Sequence, residues 1–253
     1  MLRQIFILAT LTISAIAPAH ANAQESEIAP LQVAVIDSGI VPADHLKDVI
    51  GEEFDMASDF VDRGRFSKIR SEHGTYVAGI IADRVTRPVV IHSFRVDIGC
   101  RGEMCRIDPE AIGESIKLAT EMDVDLIQIS IEGYLGEETV EIMRQAADAG
   151  IQIVMSAGND GRVSGTAWNA TGLGDNVHVV GALDRSGRPA AFSSVSEADD
   201  VTIVMRQGVD VDVLNSRGRN TRVTGTSFAA PIYAAELLEA MPVKANATLA
   251  SRK

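Results

Sequence analysis

From Leu31 onward the chain alternates short apolar, β-branched runs with longer helical stretches, and this alternation most limits the folds open to it. Leu31–Ile36 is such a run and ends at Asp37-Ser38-Gly39, a strand passing into a turn. Mixed polar sequence follows from about Val41 to Glu72, with a short strand expected near Phe60-Val61. Thr75–Ala82 reads as helix and Val89–Val96 as strand. Asp108-Pro109 opens a helix running to about Met122, with the proline at a first-turn position where its missing N–H costs nothing. Val124–Ile131 is again strand, and Glu137–Ala149 is a helix closed by Gly150. Ile151–Met155, Val177–Val180, Thr202–Met205 and Val209–Val213 read as further strands, and Thr226–Met241 as the last helix. Strands interleaved with helices of this length imply a three-layer α/β/α fold around a mainly parallel central sheet. In such sheets ligand sites form outside the carboxyl ends of the strands, which directs attention to Asp37 and to the segment after Met155.

The N-terminus has a different character. Arg3 precedes an apolar run from Ile5 to Ala17, too short to span a bilayer comfortably, and Pro18 breaks it. Ala19-His20-Ala21 and Ala21-Asn22-Ala23 both offer small-x-small cleavage sites. Residues 1–23 are therefore expected to be a signal peptide cut after Ala21 or Ala23, with an uncleaved anchor as the alternative. Residues 24–30 would form a polar lead, 31–242 a compact domain and 243–253 a short tail. A length of 253 residues suits one sizeable core. The formal net charge of -12 argues against nucleic acid, which needs clustered Lys and Arg. It suits a soluble, exported monomer with no membrane span once the signal is removed.

Four short segments carry chemistry-bearing side chains, each with a harmless reading of its own. Asp37 ends an apolar strand, where turn-forming Asp is common, but a buried carboxylate there could also hold an imidazole in one tautomer. His73-Gly74-Thr75-Tyr76-Val77-Ala78-Gly79 sets a histidine at a helix start, whose dipole disfavours imidazolium and keeps the ring able to accept a proton. Ser156-Ala157-Gly158-Asn159-Asp160-Gly161 follows a strand; it reads as an ordinary turn, or as one offering the Asn159 amide to a developing oxyanion. Gly225-Thr226-Ser227-Phe228-Ala229-Ala230-Pro231 opens the last helix; Ser and Thr favour caps, but a helix N-terminus also stabilises negative charge. Pro231 has no N–H for the Ser227 carbonyl, so this first turn is expected to be irregular. Cys100 and Cys105 lie close together, and in an oxidising compartment a disulfide is favoured over two free thiols or half of a metal site.

Taken together, the order Asp, His, Asn, Ser and the residues flanking each make the chain resemble the subtilisin-like serine peptidases, the subtilases, over about Leu31–Met241. Gly181-Ala182-Leu183-Asp184 and Ala191-Phe192-Ser193-Ser194 add to the match. The resemblance implies an endopeptidase with Ser227 as nucleophile, His73 as general base, Asp37 as its orienting acid, and Asn159 with the Ser227 backbone N–H as the oxyanion hole. It also implies that a peptide or protein substrate lies between Ser130-Ile131-Glu132-Gly133 and the loop carrying Cys100 and Cys105, with Ala157 and Gly158 beside it.

The chain departs from the family pattern in several places. Glu132 stands where members usually have Gly, at the rim of the primary specificity pocket. Only residues 24–30 separate the expected cleavage site from the first strand, too few for the usual inhibitory propeptide. Asp83 runs through Arg84-Val85-Thr86-Arg87-Pro88 directly into a strand, without the calcium-binding insertion often found there, and no EF-hand-like loop appears. No metal or other cofactor is expected. These departures leave two other readings open, a retired peptidase fold that binds peptide or a protein partner, and an acyl-transferring peptide ligase.

Overall fold

The structure is a computed structural model that describes residues 28–57, 71–101, 104–131, 135–161, 172–194 and 203–244. Its centre is built by the apolar runs. Strands β1 (Leu31–Asp37), β3 (Val89–Arg95), β6 (Leu126–Ile129), β7 (Gln152–Ser156), β8 (Val177–Leu183) and β9 (Ile203–Gln207) join β2 (Ile50–Asp55) in a seven-stranded sheet ordered β2-β3-β1-β6-β7-β8-β9. Every pairing in it is parallel. The three-layer α/β/α expectation therefore holds.

Period-two alternation divides the strands between two cores. Ala34, Ile36, Ile127, Ile129, Ile153 and Met155 face helices α2 (Pro109–Glu121) and α3 (Glu137–Asp148). Val33, Val35, Leu126, Val154 and Val180 face α1 (His73–Arg84) and α4 (Thr226–Ala240). Small residues on α4 (Ala229, Ala230, Ala234 and Ala235) are buried against that second face, which lets the helix lie close to the sheet. Local chemistry sets the helix ends. Asp108 caps α2 by accepting from Glu110 N at 3.1 Å with Pro109 in the first turn, and Gly150 takes φ +94° after α3.

Several elements depart from the sequence expectation. β2 went unpredicted because it is an edge strand: Gly51, Glu52 and Glu53 are all exposed and no alternation marks it. The strand expected near Phe60-Val61 lies outside the described residues. The loop after Val96 is an antiparallel hairpin of β4 (Asp97–Arg101) and β5 (Met104–Ile107). A second hairpin pairs β10 (Val211–Leu214) with β11 (Asn220–Val223), and its Val211, Val213 and Val223 pack on Tyr76, Ile80 and Phe228. Among the described residues, no helix is long and apolar enough to cross a membrane.

Candidate active site

The carboxyl ends of β1, β6 and β7 and the amino ends of α1 and α4 converge on one place. Asp37 is the last residue of β1 and is buried at 2 % exposure. The turn after it bends through Gly39 at φ +80°, and α1 begins directly against that turn. Gly74 permits the approach: a Cβ at this position would overlap the Gly39 carbonyl oxygen and stand 3.2 Å from the Asp37 Cβ. His73 Nδ1 consequently lies 2.9 Å and 3.0 Å from the two Asp37 carboxylate oxygens. A carboxylate only accepts, so Nδ1 carries the proton and Nε2 of the neutral ring is left as acceptor.

Small polar groups hold this pair in place. Ser38 N donates to Asp37 Oδ1 at 2.7 Å, Gly74 N to Ser38 Oγ at 3.3 Å, and His73 N to Ser71 Oγ at 3.1 Å. Glu72, just before His73, does not cap its own helix but accepts from the backbone N of Ser216 at 2.8 Å and from its hydroxyl. This ties the turn between β10 and β11 to the start of α1. The Phe228 ring lies 5.2 Å from the His73 ring and 6.4 Å from Tyr76, which walls the imidazole with carbon.

Ser227 occupies the second position of α4. Pro231 cannot return a hydrogen bond to its carbonyl, and Ser130 Oγ donates there instead at 2.9 Å. The Ser227 hydroxyl points to the Ser130 carbonyl at a long 3.4 Å. Ala157, Gly158 and Asn159 follow β7. Thr226 clamps this turn from α4: its N and Oγ1 both donate to Asn159 Oδ1, at 2.9 Å and 3.2 Å, and its Oγ1 accepts from Gly158 N at 3.1 Å. With Oδ1 held, the donor end of the Asn159 amide, Nδ2, is the end left for a ligand. Ser194 N donates to Gly158 O at 3.0 Å and Ser194 Oγ to Asp160 Oδ1 at 2.8 Å, bracing the turn from behind.

The residues singled out from sequence thus fall into a few contacts. Asp37 meets His73, Asn159 meets the residue before Ser227, and Ser130 meets Ser227 through both its hydroxyl and its carbonyl. Ile131 is buried at the edge of the α2–α3 core. Glu132 and Gly133 lie outside the described residues. Cys100 and Cys105 are cross-strand partners on β4 and β5, joined with Sγ–Sγ 2.00 Å and Cα–Cα 4.0 Å. Among the described residues, Asp97, Cys100 and Cys105 cluster closely enough to suggest a metal, but both sulfurs are committed to each other. Asp97 is fully buried beside them; burial pushes its carboxyl above the usual range despite the Arg95 guanidinium on it, and the nearby Asp37 charge adds to the rise.

Sequence reasoning missed Thr226, Phe228 and Gln128. The first could have been suspected: a Thr before Ser227 reads as a cap, but its oxygen serves the turn after β7 and not its own helix.

Comparison with known proteins bears on the family and the fold. The subtilase family model matches residues 30–251. Subtilisin DY of Bacillus licheniformis is 31% identical over 225 residues, covering 83% of this chain and 76% of that protein. The cell wall-associated protease of Bacillus subtilis (strain 168) is 27% identical over 86% of this chain, which spans 24% of its length. Among solved structures, a cold adapted subtilisin-like serine proteinase superposes with TM-score 0.63 at 19% identity, covering 83% of this chain and 76% of that one. The prenylagaramide maturation protease PagA superposes with TM-score 0.61 at 23% identity, over 83% of this chain and 74% of that one. The structural likenesses speak to the fold, and the family model with the subtilisin relative speaks to descent: the chain belongs to the subtilase family of serine peptidases.

Proposed function

We propose that the protein is an exported serine endopeptidase that cleaves peptide bonds through an acyl-enzyme on Ser227, with His73 and Asp37 completing its triad. The observation that carries this reading is the seating of His73 Nδ1 on both oxygens of the buried Asp37 carboxylate, which leaves Nε2 as the base. In the reaction the Ser227 hydroxyl gives up its long contact to the Ser130 carbonyl and turns to Nε2. Oγ attacks the scissile carbonyl as its proton passes to His73, and Asp37 stabilises the imidazolium without being protonated. Asn159 Nδ2 and the Ser227 backbone N–H receive the developing oxyanion. His73 then donates its proton to the leaving amine, and water repeats the sequence to free the acyl group.

Substrate backbone would pair with Ser130-Ile131-Glu132-Gly133 on one side and the β4–β5 hairpin on the other, beside Ala157 and Gly158. The disulfide across that hairpin would stiffen one wall of the cleft. Export rests on Arg3, the apolar Ile5–Ala17 run and the small-x-small sites after it. We place the protein outside the cytoplasm as a monomer.

A fluorophosphonate probe tests the reading. Wild type should be labelled and Ser227→Ala should not, and wild type alone should digest unfolded protein. Absence of labelling in correctly folded wild type would sink the proposal in favour of a peptide-binding, catalytically retired fold. Labelling accompanied by amide-bond formation in place of hydrolysis would point to a ligase.

A further inference from the structure

Gln128 stands in the middle of β6 between Val35 of β1 and Val154 of β7, with no exposed surface. Leu126, Gln128 and Ser130 share the strand face turned toward α4. Gln128 Nε2 donates to Ser130 Oγ at 3.0 Å, and Ser130 Oγ donates to the Ser227 carbonyl at 2.9 Å. The other end of the amide, Oε1, is buried with no hydrogen-bond partner among the described residues.

We propose that Gln128 is a positioning residue for acyl transfer at Ser227, acting through the Ser130 hydroxyl. The inference rests on Ser227 being the nucleophile. Its physical basis is proton direction. Ser130 has one hydroxyl proton on a freely rotating bond, and several acceptors could take it. An amide N–H pointed at its oxygen fills a lone pair and cannot accept, so the hydroxyl proton is directed to the Ser227 carbonyl. That carbonyl needs an outside donor because Pro231 withholds the helical one. Fixing it fixes the backbone from which the Ser227 Oγ arm swings between the Ser130 carbonyl and His73.

Stability alone gives no reason for a glutamine here. Its neighbours Val35 in β1, Val154 in β7 and Leu126 on the same face are hydrocarbon, and an orphan buried oxygen disfavours the fold. Methionine has nearly the same shape without the unmet acceptor. The fold would tolerate it, whereas the nucleophile would lose its guide.

The test compares wild type, Gln128→Met, Ser130→Ala and the double variant in the full chain. For Gln128→Met, Tm should be unchanged or higher and KM within about twofold of wild type. Both kcat and the rate of fluorophosphonate labelling at Ser227 should fall about tenfold, the scale of slight misplacement of a reacting group. The double variant should be no slower than Ser130→Ala, because both changes interrupt one path. Labelling of Gln128→Met within twofold of wild type would overturn the proposal, and so would independent, multiplicative losses in the double variant. A marked loss of stability in Gln128→Met would overturn it as well, since the amide would then be serving the fold. Failure of the peptidase reading itself would look different, as wild type would not be labelled at all.

Discussion

Replacing Thr226 with valine removes one oxygen at nearly constant shape, and the structure says what that oxygen holds. Oγ1 accepts from Gly158 N at 3.1 Å and donates to Asn159 Oδ1 at 3.2 Å, and the residue is fully buried. In Thr226→Val the Gly158 N–H stays buried without an acceptor, which costs about 1–3 kcal/mol. A middle value of about 2 kcal/mol corresponds to a drop in Tm of roughly 4–8 °C for a chain of this size. The catalytic effect follows from the second bond. Asn159 keeps the Thr226 backbone N–H at 2.9 Å but loses its other tether. Full loss of such an oxyanion donor costs about 2.7–4 kcal/mol, a magnitude measured in a subtilisin itself, so a loosened donor should forfeit about a third to a half of that. The expected result is a kcat reduced about tenfold with KM little changed, because the oxyanion exists only beyond the ground state. Thermal melts and steady-state kinetics on a chromogenic peptide measure both effects, with Asn159→Leu as the limit of complete loss. A variant that melts lower but keeps full kcat would refute the claim that Thr226 orients Asn159. One that loses kcat while also failing to bind substrate would refute the assignment to the transition state.

Two further outcomes follow. Glu132→Gly should alter the residue preferred immediately before the cleaved bond in a peptide library, and an unchanged profile would remove Glu132 from the specificity determinants. His178 sits with Nε2 2.8 Å from Gln152 Oε1 and Nδ1 3.4 Å from the Tyr233 hydroxyl, and burial lowers its pKa below the ordinary 6.5. The folded state therefore resists a proton that the unfolded chain accepts, so stability should fall as pH drops below about 6.5 and level off beneath the folded pKa. Buried His92 contributes with the same sign. Melts of wild type and His178→Gln from pH 8 to 5 should show a shallower acid decline in the variant; parallel curves would exclude His178 as a source.

What was readable in advance followed from local pattern. The runs at Leu31, Val89, Ile151 and Val177 are apolar and β-branched because they are buried on both faces, and such runs announce themselves. β2 and β11 did not, because a strand with an exposed face satisfies its backbone through a neighbour that only the fold supplies. The β4–β5 hairpin read as a loop for the same reason: Cys100 and Cys105 were visible, but their direct opposition across a ladder was not.

The candidate site divides along the same line. Asp37, His73, Asn159 and Ser227 are marked by their flanking residues, since each needs a particular strand end or helix start, and those have local signatures. By itself the amino-acid order determined a parallel α/β fold and a small set of chemistry-bearing side chains. Only the tertiary structure decided what steadies them: Gln128 behind Ser130, Thr226 beneath Asn159, Phe228 against His73, and the Ser216 turn on Glu72. Gln128 and Ser130 share one strand, but their hydrogen-bond chain ends on the Ser227 carbonyl, and the other partners are likewise far apart in sequence; such contacts depend on burial and register, which no short stretch of sequence carries.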